Sequence, residues 1–175
     1  GLACGDYLGM PVEYMKRENV MLFFGEEGLR PVPCEHRMGG KPPGYYTDDT
    51  CMTLCLAESL ALKGFDRKDQ FERYRKWLLE GYMTPDSTQA FGIGRRTLLA
   101  LMVGDADNLP ELIKEDGDEA GNGPLMRCAP LGLYLQNLHE LKEKTKLATI
   151  MTHNSSTAAW GCVVLTTLVA LALRG

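Results

Sequence analysis

The residues best suited to chemistry are consecutive: Thr47-Asp48-Asp49-Thr50 places two carboxylates between two hydroxyls. A turn-rich stretch of Gly, Pro and Tyr, residues 39–46, leads into them, and a periodic apolar segment follows. Helix side chains lean towards the N-terminus, so oxygens of a first turn can converge just above it. Oxygen ligands are those that Mg²⁺, Mn²⁺ and Ca²⁺ prefer and that zinc and copper do not. The segment therefore predicts a site for a hard cation.

An ordinary helix start is the alternative for the same four residues. Thr and Asp are preferred N-caps, and acidic side chains in a first turn offset the helix dipole. Local sequence alone favours this cap. The preceding residues 39–46 carry more turn signals than a cap requires, and neighbouring carboxylates repel unless a positive charge lies between them, which favours the cation.

Two further segments flank the acidic one in the chain. Residues 5–13 read Gly-Asp-Tyr-Leu-Gly-Met-Pro-Val-Glu, and residues 121–127 read Gly-Asn-Gly-Pro-Leu-Met-Arg. In this order and at these separations, the three segments resemble the ADP-ribosylglycohydrolase family. The resemblance runs from Gly1 to Thr152-His153 and the helix after them. It implies an all-α fold, a compact multi-helix orthogonal bundle, and a hydrolase that removes ADP-ribose from modified side chains or small acceptors with two Mg²⁺ ions.

The resemblance also implies roles for individual residues. Thr47, Asp48 and Asp49 would be ligands of Mg²⁺, or of Mn²⁺, which takes similar ligands. Catalysis would fall to Glu13 together with Asp48 and Asp49, with Glu13 as the acid/base or water-positioning carboxylate. Taken by itself, Glu13 reads as an exposed loop acid. Asp6 is either a positioning neighbour of the ligands or a cap.

Substrate binding would fall to the third segment and to one histidine. The resemblance assigns it to Gly121, Asn122, Gly123, Met126, Arg127 and His153, with the glycine loop holding the diphosphate and the proximal ribose. Without the resemblance, the loop is an ordinary turn. Arg127 would then pair with an acidic side chain, and His153 would be a hydrogen-bonded structural residue.

One feature departs from the family. Its members are longer and carry a second acidic motif of the Asp-Asp-x-Asp-Thr kind near the C-terminus, whereas this sequence ends at Gly175. We therefore expect residues 1–175 to form part of a single ADP-ribosylglycohydrolase-like domain with its C-terminal part missing, and turnover to be weak or absent in this chain alone. The rival hypothesis is a non-catalytic helical relative or fragment that binds ADP-ribose or has a structural or interaction role.

Composition narrows the function classes. The net charge of −4, without a Lys/Arg cluster, argues against nucleic acid. Six scattered cysteines without a Cys-x-x-Cys pair favour reduced thiols in a cytoplasmic protein. The apolar stretch from Ala158 to Leu173 is shorter than the roughly 20 residues of a membrane span, which favours a buried core helix and no membrane partner. If part of that helix is uncovered, it would favour oligomers.

Helical periodicity dominates the chain. It predicts a central helix over residues 48–63 ended by Gly64, and an amphipathic one from Asp66 to Gly81. A helix carrying Phe91, Ile93, Leu98 and Met102 follows Pro85, and residues 104–121 form a loop with one helical turn at 110–114. Later helices begin at Pro124, Pro130, Leu138 and Ser155, the last two ending near Met151 and Leu173. The only strand-like run is Val20 to Phe24.

Overall fold

The computed structural model describes residues 1–30, 32, 44–104, 106 and 120–175. These residues form an all-α fold of nine helices and two short 3₁₀ turns, without a strand. The predicted fold class is therefore confirmed. The helices are α1 Leu2–Gly9, α2 Arg17–Phe24, α3 Asp48–Lys63, α4 Arg67–Glu80, α5 Arg95–Val103, α6 Gly123–Arg127, α7 Ala129–Tyr134, α8 Leu138–Thr149 and α9 Ser156–Ala172; the 3₁₀ turns are Met10–Val12 and Gly25–Glu27.

Helix α3 lies at the centre of the core. Met52, Cys55 and Leu56 on it are almost completely buried, and α3 packs against α1, α4, α6 and α7. Gly64 ends the helix with a φ of 70°, a value that a residue with a Cβ adopts only with strain. Because α1 and α6 both pack on α3, they carry the first and third sequence segments towards its acidic start.

Helix α4 follows its local signals closely. Asp66 caps it by accepting hydrogen bonds from the backbone N–H groups of Lys68 and Asp69, at 2.9 and 3.1 Å. Phe71 and Trp77 bury one face against α3. The predicted boundaries, from the Asp66 cap to Gly81, are confirmed.

The helix after Pro85 starts later than the apolar pattern predicts. Helix α5 begins at Arg95, so Phe91 and Ile93 lie in the preceding loop. The reason is Gly92, whose φ of +83° is incompatible with a helix. Val20 to Phe24 belongs to helix α2, and the predicted helical turn at 110–114 lies outside the described residues.

Helix α9 buries one face and exposes the other. Its inner face, including Cys162, Thr166 and Ala170, is completely buried, and the helix packs against α6, α7 and α8. Its outer apolar residues are about half exposed: Trp160 50%, Val164 57%, Leu168 59% and Leu171 46%. None of the helices in the described ranges has the length and apolar character of a membrane-spanning segment.

Candidate active site at the start of helix α3

The N-terminus of α3 is capped from another helix. The carboxylate of Asp6, on α1, accepts hydrogen bonds from the backbone N–H groups of Thr47 and Thr50, at 2.9 and 3.1 Å. It also accepts hydrogen bonds from the hydroxyls of Thr47 and Thr50, at 2.8 and 2.6 Å. Thr50 is the third helical residue, whose N–H an N-cap side chain usually takes. Asp6 therefore performs the capping that the local sequence assigns to Thr47.

Thr47 itself is only a weak cap. Its hydroxyl oxygen accepts a hydrogen bond from the Asp49 N–H at a long 3.4 Å. The same hydroxyl lies 3.2 Å from Asp49 Oδ2 and 2.8 Å from Asp6 Oδ1. An ionised carboxylate can only accept hydrogen bonds, so the Thr47 hydroxyl donates its one proton towards this pair of carboxylates. An N-cap role for Thr47 therefore explains only its long contact with the Asp49 N–H, and not its contacts with the two carboxylates.

Asp48 and Asp49 form an acidic pair at the start of α3. Asp48 is 7% exposed, and burial together with the charges of Asp49 and Glu13 raises its pKa to about 7. Burial and the charge of Asp6 also raise the pKa of Asp49. None of the ion pairs between described residues involves either carboxylate. Crowded carboxylates of this kind favour a bound proton or cation.

Glu13 reaches the same site from the end of the Met10–Val12 turn. It is half-buried, and its charge contributes to the raised pKa of Asp48. The structure therefore brings together Glu13, Thr47, Asp48 and Asp49, which the sequence analysis named as candidates. Their individual roles stay predictions.

The loop before α5 lies directly against Asp48. A Cβ built on Gly92 would fall 2.4 Å from Asp48 Oδ1, so only glycine allows this approach. Tyr45 joins this loop to the approach to α3, since its hydroxyl donates to Asp86 at 2.8 Å and its ring lies 6.2 Å from that of Phe91. Sequence reasoning missed Gly92, although the pair Gly92-x-Gly94 is a visible signal of close backbone approach.

The glycine loop at 121–123 closes against a buried histidine. A Cβ on Gly121 would lie 2.9 Å from His153 Nε2, and one on Gly123 would lie 3.0 Å from His153 Cε1 and 2.8 Å from Thr97 Oγ1. His153 is 3% exposed. Burial, assisted by the positive charges of Arg127 and Arg96, lowers its pKa to about 4. The imidazole is therefore neutral at pH 7.

Arg127 supports this loop from the interior. Its side chain is 2% exposed, and its guanidinium donates to the Gly123 carbonyl at 3.1 Å and to the Thr152 hydroxyl at 2.6 Å. The guanidinium lies over the Tyr74 ring, 4.9 Å from its centroid. Thr152 in turn is hydrogen-bonded to His153 Nδ1 at 3.0 Å. Arg127 thus makes contacts within the protein, and the substrate contact that the resemblance implies for it stays a prediction.

The acidic site and the glycine loop are linked through α3. The Thr53 hydroxyl donates to the Asp49 carbonyl at 2.6 Å and lies 3.5 Å from the carbonyl of Met126. Met126 is half-buried beside this contact, while Gly121 and Asn122 are exposed. The main chain of α6 therefore lies next to the first turns of α3.

The oxygen donors at the start of α3 suit a hard cation, but they supply only part of its coordination shell. Thr47, Asp48 and Asp49 present hydroxyl and carboxylate oxygens, the ligands that Mg²⁺ and Mn²⁺ take. In the ranges that the structure describes, no group of three or more His, Cys, Asp or Glu side chains converges on one metal position. Octahedral Mg²⁺ needs six oxygens, so further ligands must come from water, from substrate or from other residues.

Fold and site together define an all-α protein with an acidic helix start beside a glycine loop. The family profile described as ADP-ribosylglycohydrolase matches residues 1–175. The chain belongs to the ADP-ribosylglycohydrolase family, and the resemblance noted from its motifs is confirmed.

Named relatives agree with this membership. The chain is 32% identical to the ADP-ribosyl-[dinitrogen reductase] glycohydrolase of Rhodospirillum rubrum, over 97% of this chain and 54% of the relative. It is 29% identical to the ADP-ribosylarginine hydrolase Tri1 of Pseudomonas putida, over 100% and 45%. A solved structure called an ADP-ribosylglycohydrolase-related protein complex matches with a TM-score of 0.69 and 39% identity, over 99% of this chain and 54% of that one. The chain spans about half the length of these relatives.

Proposed function

We propose that this chain carries the cation-binding and ADP-ribose-binding part of a hydrolase that cleaves the bond between ribose C1 and an acceptor. The acceptor would be a protein side chain or a small molecule. The observation that carries the proposal is the acidic pair Asp48 and Asp49, held without a compensating basic group among the described ion pairs. The names of the relatives, which include hydrolases of ADP-ribosylated arginine and dinitrogen reductase, support the substrate class.

Thr47, Asp48 and Asp49 would hold Mg²⁺, or Mn²⁺ in its place. Such a cation supplies Lewis acidity for the ribose hydroxyls and lowers the pKa of a coordinated water. The raised pKa of Asp48 fits this assignment, because a buried carboxylate beside another is stabilised by a divalent positive charge.

Glu13 is the proposed acid/base. Cleavage at ribose C1 passes through an oxocarbenium-like state, which needs a deprotonated water and a leaving group that can depart. Glu13 holds the proton that the attacking water loses, at its carboxylate, and returns it to the acceptor atom. Its half-buried position next to Asp48 keeps it close to the proposed cation ligands.

The glycine loop is the proposed site for the diphosphate and the proximal ribose. Gly121 and Gly123 lack side chains where the backbone meets His153, so the loop packs closely on this histidine, while the exposed backbone at Gly121 and Asn122 is accessible to a ligand. Asn122 adds an exposed amide. Arg127 and His153 hold the loop rather than the ligand, because both side chains are buried.

A non-catalytic ADP-ribose-binding role is the second candidate. It is favoured by the incomplete donor set, since fewer than three of the described His, Cys, Asp and Glu side chains converge on any metal position. The two candidates share the ligand and differ in whether the glycosidic bond is broken.

Turnover measurements separate the two. Release of ADP-ribose from ADP-ribosylated arginine, ADP-ribosylated serine and O-acetyl-ADP-ribose is followed with Mg²⁺, with Mn²⁺ and with EDTA, beside calorimetric titration with ADP-ribose. Slow release that EDTA abolishes supports the hydrolase, and binding without release supports the second candidate. Release that persists in EDTA, or neither binding nor release, contradicts the proposal.

Three variants assign the effect to the acidic pair. Asp48→Asn and Asp49→Asn should lose EDTA-sensitive release and Mn²⁺ binding while remaining folded. Asp66→Asn is the matched control, because Asp66 also sits at a helix start but caps α4, away from the site. If Asp48 and Asp49 only offset the helix dipole at the start of α3, their Asn variants would change stability slightly, as Asp66→Asn would, and would retain Mn²⁺ binding.

A further inference from the structure

Asp6 takes over capping bonds that Thr47 would otherwise make. The two residues lie 41 positions apart in the chain, and Asp6 and Thr50 lie 44 apart. In an ordinary capped helix, the Thr oxygen at the N-cap accepts the N–H of the second or third helical residue. Here the third N–H, that of Thr50, goes to Asp6 at 3.1 Å, and the second reaches Thr47 only at 3.4 Å.

This arrangement decides which Thr47 lone pairs are available. The Thr47 hydroxyl donates its proton to Asp6 at 2.8 Å, so its oxygen keeps electron pairs that face away from that hydrogen bond. Without Asp6, the same hydroxyl would turn to its next acceptor, Asp49 Oδ2, now 3.2 Å away. The oxygen of Thr47 would also be drawn towards the N–H groups of Asp49 and Thr50. Both changes would occupy atoms that a cation needs.

A purely structural cap would not need a third carboxylate here. Asp6 adds negative charge beside Asp48 and Asp49, and its charge contributes to the raised pKa of Asp49. A neutral Ser or Asn caps a helix about as well as Asp. What the carboxylate of Asp6 alone provides is acceptance of all four hydrogen bonds, two from backbone and two from hydroxyls.

We propose that Asp6 is a positioning residue for the cation site: by capping α3 from α1, it leaves the oxygens of Thr47 and Asp49 free to bind a divalent cation. The inference rests on the proposed function, because it concerns the same site. It assigns Asp6 no contact with the cation or the substrate.

The first test compares two aspartates that cap helices. Mn²⁺ binding to the 175-residue chain is titrated by electron paramagnetic resonance, and unfolding midpoints are measured without Mn²⁺. Asp6→Asn should weaken Mn²⁺ binding about 10- to 100-fold, as changes next to metal ligands do. Asp66→Ala, which loses two comparable backbone hydrogen bonds at 2.9 and 3.1 Å, should change Mn²⁺ affinity less than twofold. Both variants should unfold a few degrees earlier.

The second test leaves every acidic residue in place. Thr50→Val removes the hydroxyl that donates to Asp6 at 2.6 Å and keeps the side-chain volume, whereas Thr50→Ser keeps the hydroxyl. Thr50→Val should weaken Mn²⁺ binding several-fold, and Thr50→Ser should stay within twofold of the parent chain. This pair keeps the inference testable if Asp6→Asn does not fold.

The outcomes distinguish the inference from the proposed function. If the parent chain binds Mn²⁺ and both Asp6→Asn and Thr50→Val bind it equally well, Asp6 is only a structural cap and the inference is overturned. If the parent chain binds no Mn²⁺, the proposed function fails for this chain and the inference fails with it. Loss of Mn²⁺ affinity in Asp66→Ala as well would also overturn it, because the effect would then follow stability.

Discussion

Replacing Gly92 with alanine should disturb the acidic site from outside α3. The new methyl carbon would lie 2.4 Å from Asp48 Oδ1, so the carboxylate must withdraw until the distance reaches at least 3.4 Å, the start of ordinary contact. The φ of +83° adds strain of about 1–2 kcal/mol for a residue with a Cβ. Together we expect a stability loss of about 2–3 kcal/mol, or roughly 4 to 12 °C in the unfolding midpoint.

Cation binding is the decisive measurement for this variant. Because the carboxylate of Asp48 is pushed about 1 Å from its position, Mn²⁺ affinity should fall at least about tenfold. Gly64→Ala is the control, since Gly64 has a comparable φ of +70° but would meet only the Tyr134 hydroxyl, at 3.3 Å. It should lose stability from strain and keep Mn²⁺ affinity. Equal Mn²⁺ affinity in Gly92→Ala and the parent chain would refute the assignment of Asp48 as a cation ligand.

Two further predictions concern pH and the glycine loop. With the pKa of Asp48 raised to about 7, the cation-free chain should lose up to about 4 kcal/mol of unfolding free energy as pH rises from 4 to 7. With the pKa of His153 lowered to about 4, it should lose up to about 3 kcal/mol as pH falls from 6.5 to 4. In urea titrations, Asp48→Asn should reduce the first slope and His153→Gln should remove the second, and an unchanged profile in either variant contradicts the shift. Arg127→Lys cannot donate to Gly123 and Thr152 in the same planar geometry, so stability should fall by about 1–3 kcal/mol. ADP-ribose should bind about tenfold more weakly in calorimetry, and unchanged binding would show that the loop does not depend on Arg127.

Local signals were enough to predict most helices. Helix α4 is the clearest example, because its cap Asp66 and its terminal Gly81 act on backbone groups within a few residues of themselves. The start of α5 was predicted wrongly for the opposite reason. The apolar pattern continues through Phe91 and Ile93, but the positive φ of Gly92 accompanies a close approach to Asp48, a contact over 44 residues that no local pattern records.

The candidate site shows the same division. Residue types identified Thr47, Asp48 and Asp49 as oxygen donors at a helix start, and the family motifs added Glu13 and the glycine loop. The contact of Gly121 with His153 joins positions 32 residues apart, and its physical content is steric exclusion, which appears only once both backbones are placed. The burial of Arg127 likewise depends on Tyr74 of α4 and on Thr152 in the turn after α8.

The sequence by itself determined the fold class and which oxygen atoms stand at the start of α3, because helix periodicity, caps and donor types are properties of neighbouring residues. Only the tertiary structure decided which of those oxygens are free. A cap and the proposed cation would use the same lone pairs, and the carboxylate of Asp6, which takes over the capping, reaches Thr47 and Thr50 only after α1 has packed against α3.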